Sequence, residues 1–339
     1  MYVVAEKEIA GLMTPAAAFE AIEAMFASMA SRKAYNFPVV REAIGYEDAL
    51  YGFKGGFDGA GLVLGLKAGG YWPHNQKHNL INHQSTVFLF DPDTGRVKAA
   101  IGGNLLTALR TAAASAVSIK YLAPKGAKVL GMIGAGHQSA FQMRAAAVHQ
   151  FEKVVGWNPH PEMLSRLADT AAELGLPFEA VELDQLGADA DVIVSITSSF
   201  APMLMDGHVK GATHIAAMGT DTKGKQELDP ALVARARVFT DEVAQSVSIG
   251  ETQHAVASGL IAESAISELG AVVAGLHEGR GTAEVTLFDG TGVGLQDLAV
   301  ANKVLEIAIE KGIAQRSKSD PSGARNTPAR RNRSGRAIR

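Results

Sequence analysis

Lys67 ends an apolar run, GLVLGLKAGG, that is too hydrophobic to carry a cation unless its charge is paired or faces a cleft. Arg110 sits inside LLTALRTAAASA, an Ala-rich stretch whose faces otherwise read as buried. A buried guanidinium needs a carboxylate, either an internal Asp or Glu or one carried by a ligand. Asp221 follows the apolar stretch THIAAMGT, at the end where open α/β sheets place their ligands, although an Asx turn or a helix cap would also use it. The fourth stretch is GMIGAGHQS, residues 131–139. There Gly134 would allow a tight turn, Gly136 would let backbone N–H groups approach a pyrophosphate, and Ser139 is small enough for helix and strand to pack.

A Gly-x-Gly pattern alone decides nothing in a chain with 36 glycines, so its flanks must. KVLGMI before it reads as a strand, residues 138–149 after it as a helix, and KVVGWN as a second strand, which is the βαβ setting that a dinucleotide loop requires. Ala135, His137 and Gln138 then join the glycines as cofactor contacts. At the end of the second strand, where an acid often binds the ribose hydroxyls, stands Asn158. It can still hydrogen-bond a ribose, whereas a 2′-phosphate would want an Arg and only His160 is near; NADH/NAD is favoured, with NADPH open.

Beyond residue 124 strands and helices keep alternating, through a helix at 161–174 to DVIVSIT, THIAAMG and ARVFTD, the rhythm of a parallel sheet with crossover helices. Upstream, a helix over 12–31 opens at Thr14-Pro15, strand-like runs fill 37–101, and the helix 104–123 stops at PKG. The expected fold is α/β: a Rossmann-type dinucleotide-binding domain at 124–296, and a mixed α/β domain from 1–123 and 297–315.

The length of 339 residues and a 47% hydrophobic content suit two soluble domains. With no cysteine, disulfides, thiolate metal sites and thiol nucleophiles are excluded. His74, His78 and His83 lack the spacing of a ligand set, so no metal is expected. Glu6, Lys7 and Glu8 interrupt any signal-peptide core, and no apolar run approaches about 18 residues, so a cytoplasmic protein without membrane contact is expected. Residues 316–339 carry eight Lys/Arg against one Asp; the net charge of −3 thus divides into +7 there and −10 on the body. That stretch reads as a disordered basic tail, and an acidic body makes a nucleic-acid surface unexpected.

Six motifs, GLKAGGYWPHN, TGRVKAAIGGNLLTALRTAAASA, GMIGAGHQS, VIVSITSS, THIAAMGTD and FDGTGVGLQDLAVA, occur in an order and spacing that resemble the ornithine cyclodeaminase/mu-crystallin family over roughly residues 10–312. The resemblance implies a homodimer, with the first domain making the dimer contact and one wall of the site. It implies imine and amino-acid chemistry on a small imino or amino acid substrate. Lys67 matches the family's active-site lysine, Arg110 its binder of the substrate α-carboxylate, Arg41 a further substrate arginine, and Asp221 the acid/base that exchanges a proton with substrate nitrogen. Thr197, Ser198, Val293 and Asp297 fall where the nicotinamide would lie.

More narrowly, the sequence is similar to members that reduce iminosuccinate to L-aspartate. Where ornithine-converting members carry an acid, LYGFKGGF presents Lys54. This reverses the sign of the site and suits a dicarboxylate held by Lys54, His83 and Ser85; a solvated strand position is the plainer use of Lys54. The expected function is NADH-dependent reduction of an imino acid. The alternatives are ornithine cyclodeaminase, another ketimine or imino-acid reductase, and a crystallin-like protein that binds NADPH without turnover.

Overall fold

The computed structural model describes residues 1–317. Two eight-stranded sheets organise them. In the first, strands pair in the order Gln315–Arg316, Tyr2–Val4, Val97–Gly102, His83–Phe90, Val63–Tyr71, Leu50–Asp58, with Ala34–Asn36 and Val40–Ala43 sharing the outer edge of Leu50–Asp58. All these pairings are antiparallel except Tyr2–Val4 with Val97–Gly102.

The second sheet is parallel throughout: Phe178–Ala180, Lys153–Trp157, Val129–Ile133, Val192–Ser195, Thr213–Ala217, Val285–Asp289, Arg237–Thr240, Ser267–Glu268. Its first five strands stand in the spatial order 3-2-1-4-5, so the direction of winding reverses between Val129–Ile133 and Val192–Ser195. A crevice opens beyond the carboxyl ends of the strands at such a switch point.

Thr14 caps the helix Pro15–Ala30 by accepting from the Ala17 N–H, and Pro15 occupies the first turn, where its missing donor is harmless. The helix Asn104–Leu122 is buried around nearly its whole circumference; Ala108, Ala112, Ala113, Ala114 and Ala116 let its neighbours approach closely. The helix Gly294–Glu310 packs on Leu50–Asp58 and Val63–Tyr71. A Cβ on Gly294 would stand 2.6 Å from the Gly55 nitrogen, so only glycine allows this approach.

The disorder expected from 316 does not hold for Arg316 and Ser317. Arg316 pairs with Tyr2 across the sheet edge, its guanidinium over the Tyr2 ring, and the Ser317 N–H donates to the Met1 carbonyl. The backbone pairing available at the edge of Tyr2–Val4 outweighs the polar composition there. The rest of the expected disorder, 318–339, lies outside the described residues. No helix among the described residues is long and apolar enough to cross a membrane.

Candidate active site

The glycine loop lies at the switch point. Gly134 has φ +101°, and a Cβ there would sit 2.6 Å from the Ile196 carbonyl oxygen. At Gly136, by contrast, a Cβ would meet no atom outside its chain neighbours within 4 Å, which leaves open space beside the loop. The Ala135 N–H donates to Asn158 Oδ1 (3.0 Å), and the Asn158 amide donates to the His160 carbonyl (2.8 Å). Asn158, expected on the ribose, is thus buried and holds the loop to the end of the neighbouring strand. Ser139 packs inward at the start of the helix Ser139–Ala146, His137 is exposed against Phe141, and the side-chain oxygen of Gln138 is buried without a protein partner. Open space at Gly136 and the backbone N–H groups of a helix N-terminus fit a pyrophosphate.

Across the crevice, register places Lys54 directly opposite Lys67 on adjacent antiparallel strands. Lys67 is buried, with its ammonium 2.9 Å from both carboxylate oxygens of Asp297 and 3.3 Å from Thr107 Oγ1. Arg110 donates from Nε to Asp297 (3.3 Å) and from a terminal nitrogen to Gln296 (3.0 Å). Lys54 donates to the Gly292 carbonyl at 2.8 Å; it is turned into the site and is not a solvated strand residue. Asp297 is fully buried in the first turn of Gly294–Glu310, where the helix dipole favours an anion. Its carboxylate, expected near the nicotinamide, is taken by Lys67 and Arg110.

Burial pushes the Lys67 ammonium down to about 8, with Asp297 opposing and Arg110 and Lys54 adding to the fall. Burial and then Arg110 lower Lys54 as well. The Asp297 carboxyl is raised by burial but lowered more by Lys67 and Arg110, and so stays below the usual carboxylate range. Lys54, Lys67 and Arg110 thus stand close enough to depress one another, and an anionic ligand between them would offset that repulsion.

Asp221 lies in the loop after Thr213–Ala217, its carboxylate 2.8 Å from the Lys225 ammonium and 3.9 Å from Arg41. Arg41 also donates to Thr222 Oγ1 (3.2 Å), and so bridges from the first sheet to the second. Burial raises the Asp221 carboxyl, but Lys225, Lys54 and Arg41 outweigh it and hold the group at about 2. It is therefore an anion at neutral pH in this state, able to receive a proton or to pair with a cation but carrying no proton to give.

His83 is lowered to about 4, by burial first and then by Lys67, and offers a neutral imidazole rather than a cation. The Ser85 N–H donates to Asn104 Oδ1 (2.8 Å), which ties it to the start of the arginine helix. The Thr197 N–H donates to Glu227 Oε1 (2.7 Å), Ser198 is exposed, and Val293 is fully buried just before Gly294. Among the described residues no group of His, Asp and Glu is placed to hold a metal.

Sequence reasoning missed Thr107, Gln296, Asp241 and Glu227. Thr107 lies three residues before Arg110 on the same helical face, a spacing that could have revealed it. Gln296 precedes Asp297. Asp241 accepts from the Thr291 and Gly292 N–H groups and so fixes the carbonyl that Lys54 uses. It follows ARVFT at a strand end, the same signal as Asp221. Glu227, inside KGKQELDP, gave none.

A glycine loop at the switch point of a parallel sheet, facing buried cations on a second sheet, defines the class: an NAD(P)-dependent oxidoreductase. The chain belongs to the ornithine cyclodeaminase/mu-crystallin family, whose profile matches residues 2–312. It is 87% identical over 316 residues to the iminosuccinate reductase of Paracoccus denitrificans, covering 93% of this chain and 99% of the relative. The crystal structure of that enzyme in complex with NAD+ superposes with a TM-score of 0.92, covering 93% and 98% of the two chains. The alanine dehydrogenase of Archaeoglobus fulgidus is 34% identical over 75% of this chain and 80% of its own. A solved archaeal alanine dehydrogenase dimer with bound NAD matches at 30% identity with a TM-score of 0.89, over 94% and 99% of the chains.

Proposed function

We propose that this protein reduces iminosuccinate to L-aspartate with NADH. Its likeness to the Paracoccus reductase supports the reaction and the cofactor. The observation that carries the substrate reading is Lys54, inward-facing and opposite Lys67, which gives the pocket cations for two carboxylates.

The loop 134–139 would hold the pyrophosphate, with Asn158 fixing the loop, and Thr197, Ser198 and Val293 would bound the nicotinamide. Bound NADH supplies a hydride for the imine carbon. Arg110 and Lys67 bind the α-carboxylate, anchored by Asp297, while Lys54, His83 and Ser85 receive the distal one and Arg41 closes over the substrate from the first sheet. The ionised Asp221 pairs with the protonated imine nitrogen and keeps that proton in place, which makes the carbon more electrophilic. Orientation by these fixed charges supplies much of the rate.

The working division is a substrate domain of 1–123 and 297–315, with a cofactor domain of 124–296 between them. The protein assembles as a homodimer. Tyr35, Val40 and Phe53 are exposed apolar residues on the outer strands of the first sheet, with Tyr46 exposed in the turn that follows Val40–Ala43, and light scattering tests this directly. The activity is tested by following NADH oxidation with oxaloacetate, pyruvate and glyoxylate, each with ammonium, beside ornithine. Oxaloacetate should lead. Ornithine turnover to proline without net NADH change would instead support a cyclodeaminase, and NADPH binding with no turnover a crystallin-like binding protein.

A further inference from the structure

Two buried carboxylates outside the substrate cluster lie behind the crevice. Glu227 accepts from three donors on two different segments: Ser195 Oγ (2.7 Å) at the end of the strand Val192–Ser195 and the Thr197 N–H (2.7 Å) in the loop that follows it, and the Gly219 N–H (2.9 Å) two residues before Asp221. The two loops touch: a Cβ on Gly219 would stand 2.4 Å from the Thr197 carbonyl oxygen and 2.6 Å from the Glu227 carboxylate. Glu251 in turn accepts from the backbone N–H groups of Glu227 (2.9 Å) and Leu228 (2.7 Å) and from Thr220 Oγ1. Both carboxylates are about 1% exposed.

We propose that Glu227 is a positioning residue for hydride transfer: its carboxylate fixes the distance between the nicotinamide wall at 195–199 and the Asp221 loop, and Glu251 fixes Glu227. This rests on the reading that those two loops flank the nicotinamide and the imine. All three ligands of Glu227 are donors, so its ionised form matches the geometry. Burial raises Glu227 even so, and burial together with the Glu227 charge lifts Glu251 to about 8. Burying two acids in one place is costly unless they hold something in register. What they hold is the edge of the sheet on which both reacting partners would rest.

Glu227→Gln removes at least one acceptor and turns an amide N–H toward a donor. Misplacement of reacting groups by about 1 Å costs on the order of 100-fold in rate. The expected pattern in the folded variant is a kcat roughly 30- to 100-fold lower, with iminosuccinate KM and NADH Kd, the latter by fluorescence titration, changed less than about threefold. The amides of Thr197 and Gly219 should exchange faster together, and the isotope effect with 4-deuterated NADH should increase. Ser195→Ala, which deletes one donor without altering charge, should show the same split at roughly 3- to 10-fold, and it decides the matter if Glu227→Gln does not fold. A lower Tm with unchanged kcat per folded molecule, or a loss confined to NADH affinity, would overturn the proposal by making Glu227 a structural or cofactor-site residue. Wild-type protein that fails to reduce iminosuccinate would overturn the functional reading, and this inference with it, before any variant is made.

Discussion

Lys67 and Asp297, separated by 230 positions in the chain, form a buried ion pair at 2.9 Å where the strand Val63–Tyr71 meets the helix Gly294–Glu310. Because Arg110 shares the same carboxylate, removing it leaves two cations unpaired. Asp297→Ala should therefore destabilise the protein by about 3–5 kcal/mol, the usual consequence of breaking one side of a buried pair. Urea unfolding measures it; a loss under about 1 kcal/mol would mean that the pair contributes little.

The Lys67 ammonium titrates at about 8, so the site loses a cation as pH rises through that value. For the reaction, the apparent KM for the imino acid should climb above pH 8, and Lys67→Arg, which stays charged, should abolish that limb while keeping the fold. For stability the sign is separate: the folded value lies below 10.5, the unfolded chain binds more protons between the two, and Lys67 makes stability rise with pH from about 8 to 10.5. A KM profile that is flat to pH 9.5 in the wild type would remove Lys67 from substrate binding.

Gly136 and Gly134 should separate binding from folding. Gly136→Val adds a side chain into the open space beside the loop, so the fold should survive with NADH affinity down at least roughly 100-fold. Gly134→Ala instead forces a Cβ into a positive-φ position 2.6 Å from a backbone oxygen, and should lower Tm before it affects anything else. Unchanged NADH binding in folded Gly136→Val would displace the loop from the cofactor site.

Lys54→Gln keeps a donor for the Gly292 carbonyl but removes the charge. The ratio of specificity constants for oxaloacetate plus ammonium over pyruvate plus ammonium should fall by roughly tenfold, about 1.4 kcal/mol, with pyruvate turnover largely kept. An unaltered ratio would assign the distal carboxylate elsewhere.

Local pattern made much of this molecule legible. The Thr14 cap, the apolar strands, the Ala-rich helix and the Gly134 turn depend on neighbours in sequence, and Lys67, Arg110 and Asp221 stood out as charges in apolar company. What escaped depends on register and distant segments. Nothing in LYGFKGGF says that Lys54 will face Lys67, since one residue of slip would turn it to the other face. Asp297 read as a cofactor contact because its partners arrive from a strand 230 residues and a helix 187 residues earlier. Arg316 looked like the start of a solvated tail because a sheet edge at Tyr2 cannot be seen from the composition of the C-terminus.

The central claim is tested most directly by incubating the protein with oxaloacetate, 15N-ammonium and NADH at neutral pH and identifying the product by NMR and chiral chromatography. The account predicts 15N-labelled L-aspartate formed one for one with NADH oxidised, and faster than alanine from pyruvate under the same conditions. NADH oxidation that yields malate, labelled alanine formed as readily as aspartate, or no oxidation at all would contradict it.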